Sequence, residues 1–169
     1  MSIIDQPEMQ RDLLKQAYEY AKQSNDMSTQ NAAFLVDEDG KIYVKEMNRF
    51  PDGVKETAER WERPLKYKFV EHAERNAIYT AAREGIATNG LTMVCPWAPC
   101  SDCARAIIQS GLKKLITHFE AYDRSPDRWK PDIDIAIGKL KESGSVEVVY
   151  FRGKVGVLGM RHSGELWNP

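Results

Sequence analysis

The stretch HAERNAIYTAAREGIATNGLTMVCPWAPCSDC, His72 to Cys103, decides how this chain is read. From Glu71 onward Ala73, Ala77, Ile78, Ala81 and Ala82 recur at helical spacing, and Gly85 is a stop signal. Leu91 to Cys95 is a short run rich in β-formers. Pro96-Trp97-Ala98-Pro99 breaks it, and a second helix runs through Ala104, Ile107 and Ile108 to Gly111. The order is therefore helix, strand, helix. His72 stands at one helix beginning, and Cys100 and Cys103 share a face of the next at i, i+3.

Working outward, Leu13, Leu14, Ala17, Tyr18 and Ala21 predict an amphipathic helix over Glu8 to Ser24 that covers a sheet. Ala32 to Val36 reads as a buried strand. Asp37-Glu38-Asp39-Gly40 then turns into Lys41 to Val44, which makes a β-hairpin. Asn48 to Lys68, charged and broken by Pro51, Gly53 and Pro64, reads as a long loop with one short helical turn. Further on come a strand at Lys114 to His118, a helix at Ile133 to Glu142 and a strand at Val146 to Phe151. Strands joined by helices make an α/β sandwich. Gly153 to Pro169 reads equally well as a terminal hairpin or as an extended tail.

With 42% hydrophobic and 29% charged residues the composition is that of an ordinary globular chain. We expect a single domain over residues 1–169, with 153–169 as a C-terminal extension. A formal net charge of -1 offers no general cationic field, so a small-molecule substrate is favoured over nucleic acid. The first residues lack a basic segment followed by an apolar run, and no stretch approaches membrane-spanning length, so a cytoplasmic location and no membrane partner are expected. Two of the three cysteines form Cys100-Ser101-Asp102-Cys103, which in a reducing compartment reads as metal binding or redox chemistry. Cys95, in an apolar run, reads as a small buried side chain.

Thiolate and imidazole suit Zn2+, and three protein ligands, His72, Cys100 and Cys103, leave a tetrahedral ion one open position. Such an ion lowers the pKa of bound water from about 15.7 toward roughly 7. Glu74 is the informative addition, because a closed structural site needs no carboxylate, whereas a reaction that moves protons does. Each half of the pattern is weak alone, since Cys-x-x-Cys is often a structural corner and His-x-Glu occurs by accident. Together, each opening a helix, they form the His-x-Glu and Pro-Cys-x-x-Cys pair of the zinc deaminases.

Across roughly Ser28 to Val149 the sequence resembles the deoxycytidylate (dCMP) deaminase branch of the cytidine deaminase-like superfamily. Besides the metal motif, Ser28-Thr29-Gln30 and Asn48-Arg49-Phe50-Pro51-Asp52-Gly53 are similar to the family's strand entry and its Asn-Gly-x-Pro-x-Gly loop. The resemblance implies a three-layer α-β-α sandwich on a central mixed five-stranded sheet and a single catalytic Zn2+. It implies hydrolysis of dCMP to dUMP and ammonia, with zinc-bound hydroxide attacking C4 and Glu74 shuttling protons. It also gives Asn48 to the deoxyribose, the Ala73 N–H to the pyrimidine carbonyl and the backbone near Trp97 to the exocyclic amine. Tyr122 and Arg124 are candidates near the nucleotide, and a homo-oligomer is expected. Two departures stand out. Arg49 replaces the loop glycine and either pairs with a 5′-phosphate or reaches solvent, and Asn31-Ala32-Ala33 stands where the family shows Val-Gly-Ala.

Arg60, Arg63, Lys66 and Lys68, interleaved with glutamates, read as a solvated face. His118 reads as a packed or half-exposed side chain and His162 as a surface residue. A related nucleotide, 5-modified cytosine or adenine-type, is the alternative substrate, because the same chemistry attacks C4 of cytosine or C6 of adenine. A non-catalytic zinc-containing interaction module is the alternative of another class, and Glu74 argues against it.

Overall fold

The structure, a computed structural model, describes residues 2–169; Met1, where the expected domain begins, lies outside them. A 3₁₀ turn at Ile3–Asp5 leads into α1 (Pro7–Ala21), whose Pro7 occupies the first helical turn, where its missing N–H costs nothing. The sheet contains β1 (Ala32–Val36), β2 (Ile42–Met47), β3 (Thr92–Val94), β4 (Lys114–His118) and β5 (Glu147–Phe151), in the order β2-β1-β3-β4-β5. β1 runs antiparallel to both its neighbours, and β3, β4 and β5 are parallel. The sheet is therefore mixed and five-stranded, as expected.

Every residue of β1 is buried, because both faces of the strand are covered. Ala32, Phe34 and Val36 meet Leu13, Leu14, Ala17, Tyr18 and Ala21 of α1 on one side. Ala33 and Leu35 point to the other side, into a core built with α4 (Ala73–Glu84), α5 (Ser101–Gln109) and α7 (Lys130–Glu142). This period of two sets up the three layers.

The strand directions bring one end of the sheet to the site. β3 leads through Cys95 and Trp97 into the start of α5, and Phe34 pairs with Val94 in antiparallel register, so the entry to β1 at Asn31 lies beside that exit. Ala32 pairs with Met47, which brings Asn48 to the same edge. Ligand sites in open α/β sheets form outside such carboxyl ends.

The region between β2 and α4 contains two short helices, α2 (Ala58–Trp61) and α3 (Lys66–Phe69), where one turn was expected, and α6 (Phe119–Asp123) follows β4 without a sequence signal. The C-terminal segment ends in a hairpin, β6 (Met160–His162) and β7 (Glu165–Trp167), which decides between the two readings. Ser163 and Gly164 both take positive φ, 53° and 86°, as a two-residue hairpin turn requires. Val155, Val157 and Met160 enter the core on the α1 side. Among the described residues no helix is long and apolar enough to cross a membrane.

Candidate active site

Two helix starts face one another. His72 is the N-cap of α4 and Cys100 the N-cap of α5, and neither side chain makes a capping hydrogen bond. Cap positions favour Ser, Thr, Asp or Asn, so these two residues are spent on something else. His72 Nδ1 lies 3.5 Å from Cys100 Sγ and 3.6 Å from Cys103 Sγ. Donors bound at about 2.0 and 2.3 Å around a tetrahedral zinc stand roughly 3.6 Å apart, so the three side chains fit that ion. All three ligand atoms lie within 4.8 Å of one another.

The electrostatics agree with a thiolate-bearing site. The neighbouring Cys103 thiol, and then His72, stabilise the Cys100 thiolate and lower its pKa to about 4. The same shared proton raises Cys103. Burial opposes charge on His72, yet its bond to Cys100 and the nearby Glu74 raise it on balance. Positive helix ends beside the thiols act in the same direction.

Glu74 follows in the first turn of α4. It is only 3% exposed, and its Oε2 has no hydrogen-bond partner among the described residues. Burial raises its pKa, with His72 opposing. An unpartnered carboxylate at that depth is costly, and such costs cluster where a group must exchange protons with something that arrives.

Glu74, His72 and Cys100 line a cavity of about 760 Å³, counting its open mouth. Asn31, Asn48 and Trp97 form its inner walls, and Arg63, Lys66, Tyr67 and Trp129 stand around it. Asn48 is doubly held, since its Oδ1 accepts the Ala73 N–H at 2.9 Å and its Nδ2 donates to the Thr29 carbonyl at 3.1 Å. The Ala73 N–H assigned to a pyrimidine is thus occupied by Asn48 here.

Other sequence candidates lie elsewhere. Arg49 is held by Glu46 at 2.9 Å and Asp52 at 2.6 Å and does not line the cavity. The Tyr122 hydroxyl donates to Asp134 at 2.8 Å, and the Arg124 guanidinium lies over Trp167 at 5.0 Å, so neither joins the site. Ser125 and Trp129, just beyond them, do.

Two readings are corrected. Lys66 does not belong to a solvated face, because its ammonium is buried against Asp26 at 2.7 Å, whereas Arg63 is exposed as expected and also borders the cavity. His162 is not on the surface. It is 3% exposed and stacks on Trp97, and burial lowers its pKa to about 4. His118 is fully packed between Tyr18 and Trp167, and Cys95 is buried beside Asn31. Of the inner walls, Asn48 and Trp97 were expected from the sequence, and the departure at Asn31 was the signal for the third.

A family model for the cytidine and deoxycytidylate deaminase zinc-binding region matches residues 7–119. The chain belongs to that family. The region is a zinc-binding one, and His72, Cys100 and Cys103 form a group within it that could hold such an ion. The chain is 52% identical over 58 residues to the deoxycytidylate deaminase of Enterobacteria phage T4, covering 34% of this chain and 30% of that one. Similarity to the deoxycytidylate deaminase of Mus musculus is 32% over 117 residues, 66% of this chain and 65% of that one. A crystal structure of dCMP deaminase from the cyanophage S-TIM5, in complex with dCMP and dUMP, superposes with a TM-score of 0.66. Its identity is 27%, over 86% of this chain and 98% of that one. The matches thus span from about a third to two thirds of the two curated relatives, whereas the family's cyanophage structure is covered almost whole.

Proposed function

We propose that the chain hydrolyses dCMP to dUMP and ammonia. The observation that carries this is Glu74, buried, half-unpartnered and beside a His-Cys-Cys set, on a cavity that it lines together with His72 and Cys100. When bound, zinc would supply Lewis acidity and an easily deprotonated water. The remaining work falls to the chain itself. Glu74 takes a proton from the attacking water as its oxygen bonds to C4, and passes it to N3. It then delivers the second proton to the amino group as the C4–N bond breaks. Burial suits it to both steps, since it holds the carboxyl nearer to neutral pH.

Asn48, fixed from both ends, ties the loop after β2 to the start of α4 and presents its remaining amide hydrogen at the wall. Arg63 is the residue for the 5′-phosphate. Its guanidinium spends one donor on Ser28 Oγ at 2.7 Å and keeps others free among the described residues, whereas Lys66 is already paired with Asp26. The same reading takes residues 1–169 as one cytoplasmic deaminase domain that self-associates, as the sequence led us to expect.

The test follows the ultraviolet spectra of dCMP, CMP, deoxycytidine, dCTP, 5-methyl-dCMP and dAMP with zinc-loaded protein, with Glu74→Gln as control. Selective loss of dCMP, abolished in the control, is the expected result. Turnover of another ring in preference to dCMP would overturn the substrate, and turnover undiminished in Glu74→Gln would overturn the mechanism.

A further inference from the structure

The C-terminal hairpin lies outside the residues that match the family, 7–119, yet one of its side chains reaches the cavity wall. The His162 ring lies 3.3 Å from the Trp97 ring, centroid to centroid, with 22° between the planes. Trp97 lines the cavity, and its indole N–H is buried without a partner among the described residues. The ring therefore has no polar anchor of its own, and its place is set by what packs on it. On the backbone side the Trp97 N–H donates to Asn31 Oδ1 at 3.4 Å, and on the ring side the packing is His162.

His162 is itself held. Its Nε2 lies 3.1 Å from the Ala121 carbonyl, which can only accept, so that nitrogen carries the hydrogen. Trp167 stands edge-on at 5.9 Å. The hairpin is tied to the entry of β1, with the Gln30 N–H donating to the Arg161 carbonyl at 3.3 Å and the Gly164 N–H to the Ser28 carbonyl at 2.8 Å. Burial keeps the imidazole neutral at working pH, so a flat, uncharged ring backs the indole.

We propose that His162 is a positioning residue for substrate binding, acting through Trp97 by holding the indole in the cavity wall. This rests on the deaminase reading above. His162 touches neither the ligand set nor Glu74, so it acts on nucleotide affinity and leaves the chemical step alone.

The test compares the zinc-loaded full chain with His162→Ala, His162→Phe and Leu166→Ala, the last an exposed hairpin residue. With dCMP, His162→Ala raises KM by about tenfold and moves kcat by less than about threefold, while His162→Phe, which retains a planar ring, brings KM back toward wild type. Leu166→Ala behaves as wild type. Near-ultraviolet circular dichroism gives a readout independent of turnover. The band that distinguishes wild type from Trp97→Phe disappears in His162→Ala and persists in His162→Phe. Should His162→Ala fail to fold, His162→Leu fills the volume without a planar ring and takes its place.

Unchanged KM in the ringless variant overturns the proposal, as does a His162→Phe variant as impaired as His162→Ala, or a Trp97 band that persists without the imidazole. If wild type leaves dCMP untouched, the substrate reading fails by itself, and the dichroism arm still decides whether His162 positions Trp97.

Discussion

The floor of the cavity and its rim are built in opposite ways. His72, Glu74, Cys100 and Cys103 come from two helix starts joined by one strand, and their geometry follows from local order. The rim draws Asp26, Arg63, Lys66, Trp129 and, behind Trp97, His162 from segments that meet only in the folded chain. The His-Cys-Cys group and Glu74 are thus encoded locally, and the side chains around them non-locally.

The largest effects should fall on the floor. Glu74→Gln should lower kcat by roughly 10²–10⁴-fold with metal content unchanged, whereas Cys103→Ser should lose both metal and turnover, as read by elemental analysis beside the rate. Chelation of the wild-type protein should abolish turnover and lower Tm, and both should return with Zn2+. A chelated protein that still turns over dCMP would remove the metal from the floor altogether.

Breaking the buried pair at the rim comes next. Lys66→Met leaves Asp26 unpaired at 2% side-chain exposure, and urea unfolding should show a loss of about 3–5 kcal/mol. The double variant Lys66→Met, Asp26→Asn should recover much of that, because the amide oxygen still accepts from the Ser28 and Thr29 N–H groups while no charge is stranded. Arg63→Ala should act more mildly and selectively, raising KM for dCMP by about tenfold without changing any residual turnover measured on deoxycytidine, which has no phosphate. Equal losses on both substrates would take Arg63 out of phosphate recognition.

The smallest effect is a slope. The His162 pKa falls from 6.5 to about 4 in the folded chain, burial being the main cause. Between those values the unfolded chain binds a proton that the folded one does not, so the stability this ring contributes is present above pH 6.5 and lost as pH falls toward 4. Urea midpoints of His162→Phe should therefore fall less steeply than wild type across that window. His118, also lowered by burial, is present in both proteins and cancels in the comparison.

This division also explains what could be read in advance. The unbroken apolar run of β1 and the stripe on α1 reported the layers, and the paired motifs reported the ligand set, because each signal is continuous, periodic or close-spaced in the chain. Lys66 sits among charges typical of a surface, and only Asp26, forty residues earlier, makes its burial tolerable. His162 lies between Arg161 and a turn at Ser163 with no apolar neighbour to mark it, and what buries it is a tryptophan on the far side of the chain. Arg49 stood in a recognisable loop, but Glu46 and Asp52, three residues to either side, claim its guanidinium before a phosphate can.

The bonds between the hairpin and Ser28 and Gln30 also impose an order in time. During synthesis the ligand set is complete once Cys103 has emerged, while the prop behind Trp97 must wait until His162 has followed and paired back to a segment made about 130 residues before. A nascent chain therefore owns His72, Cys100 and Cys103 well before it owns the side chain that packs behind Trp97, so the two parts of the cavity wall are completed at different times.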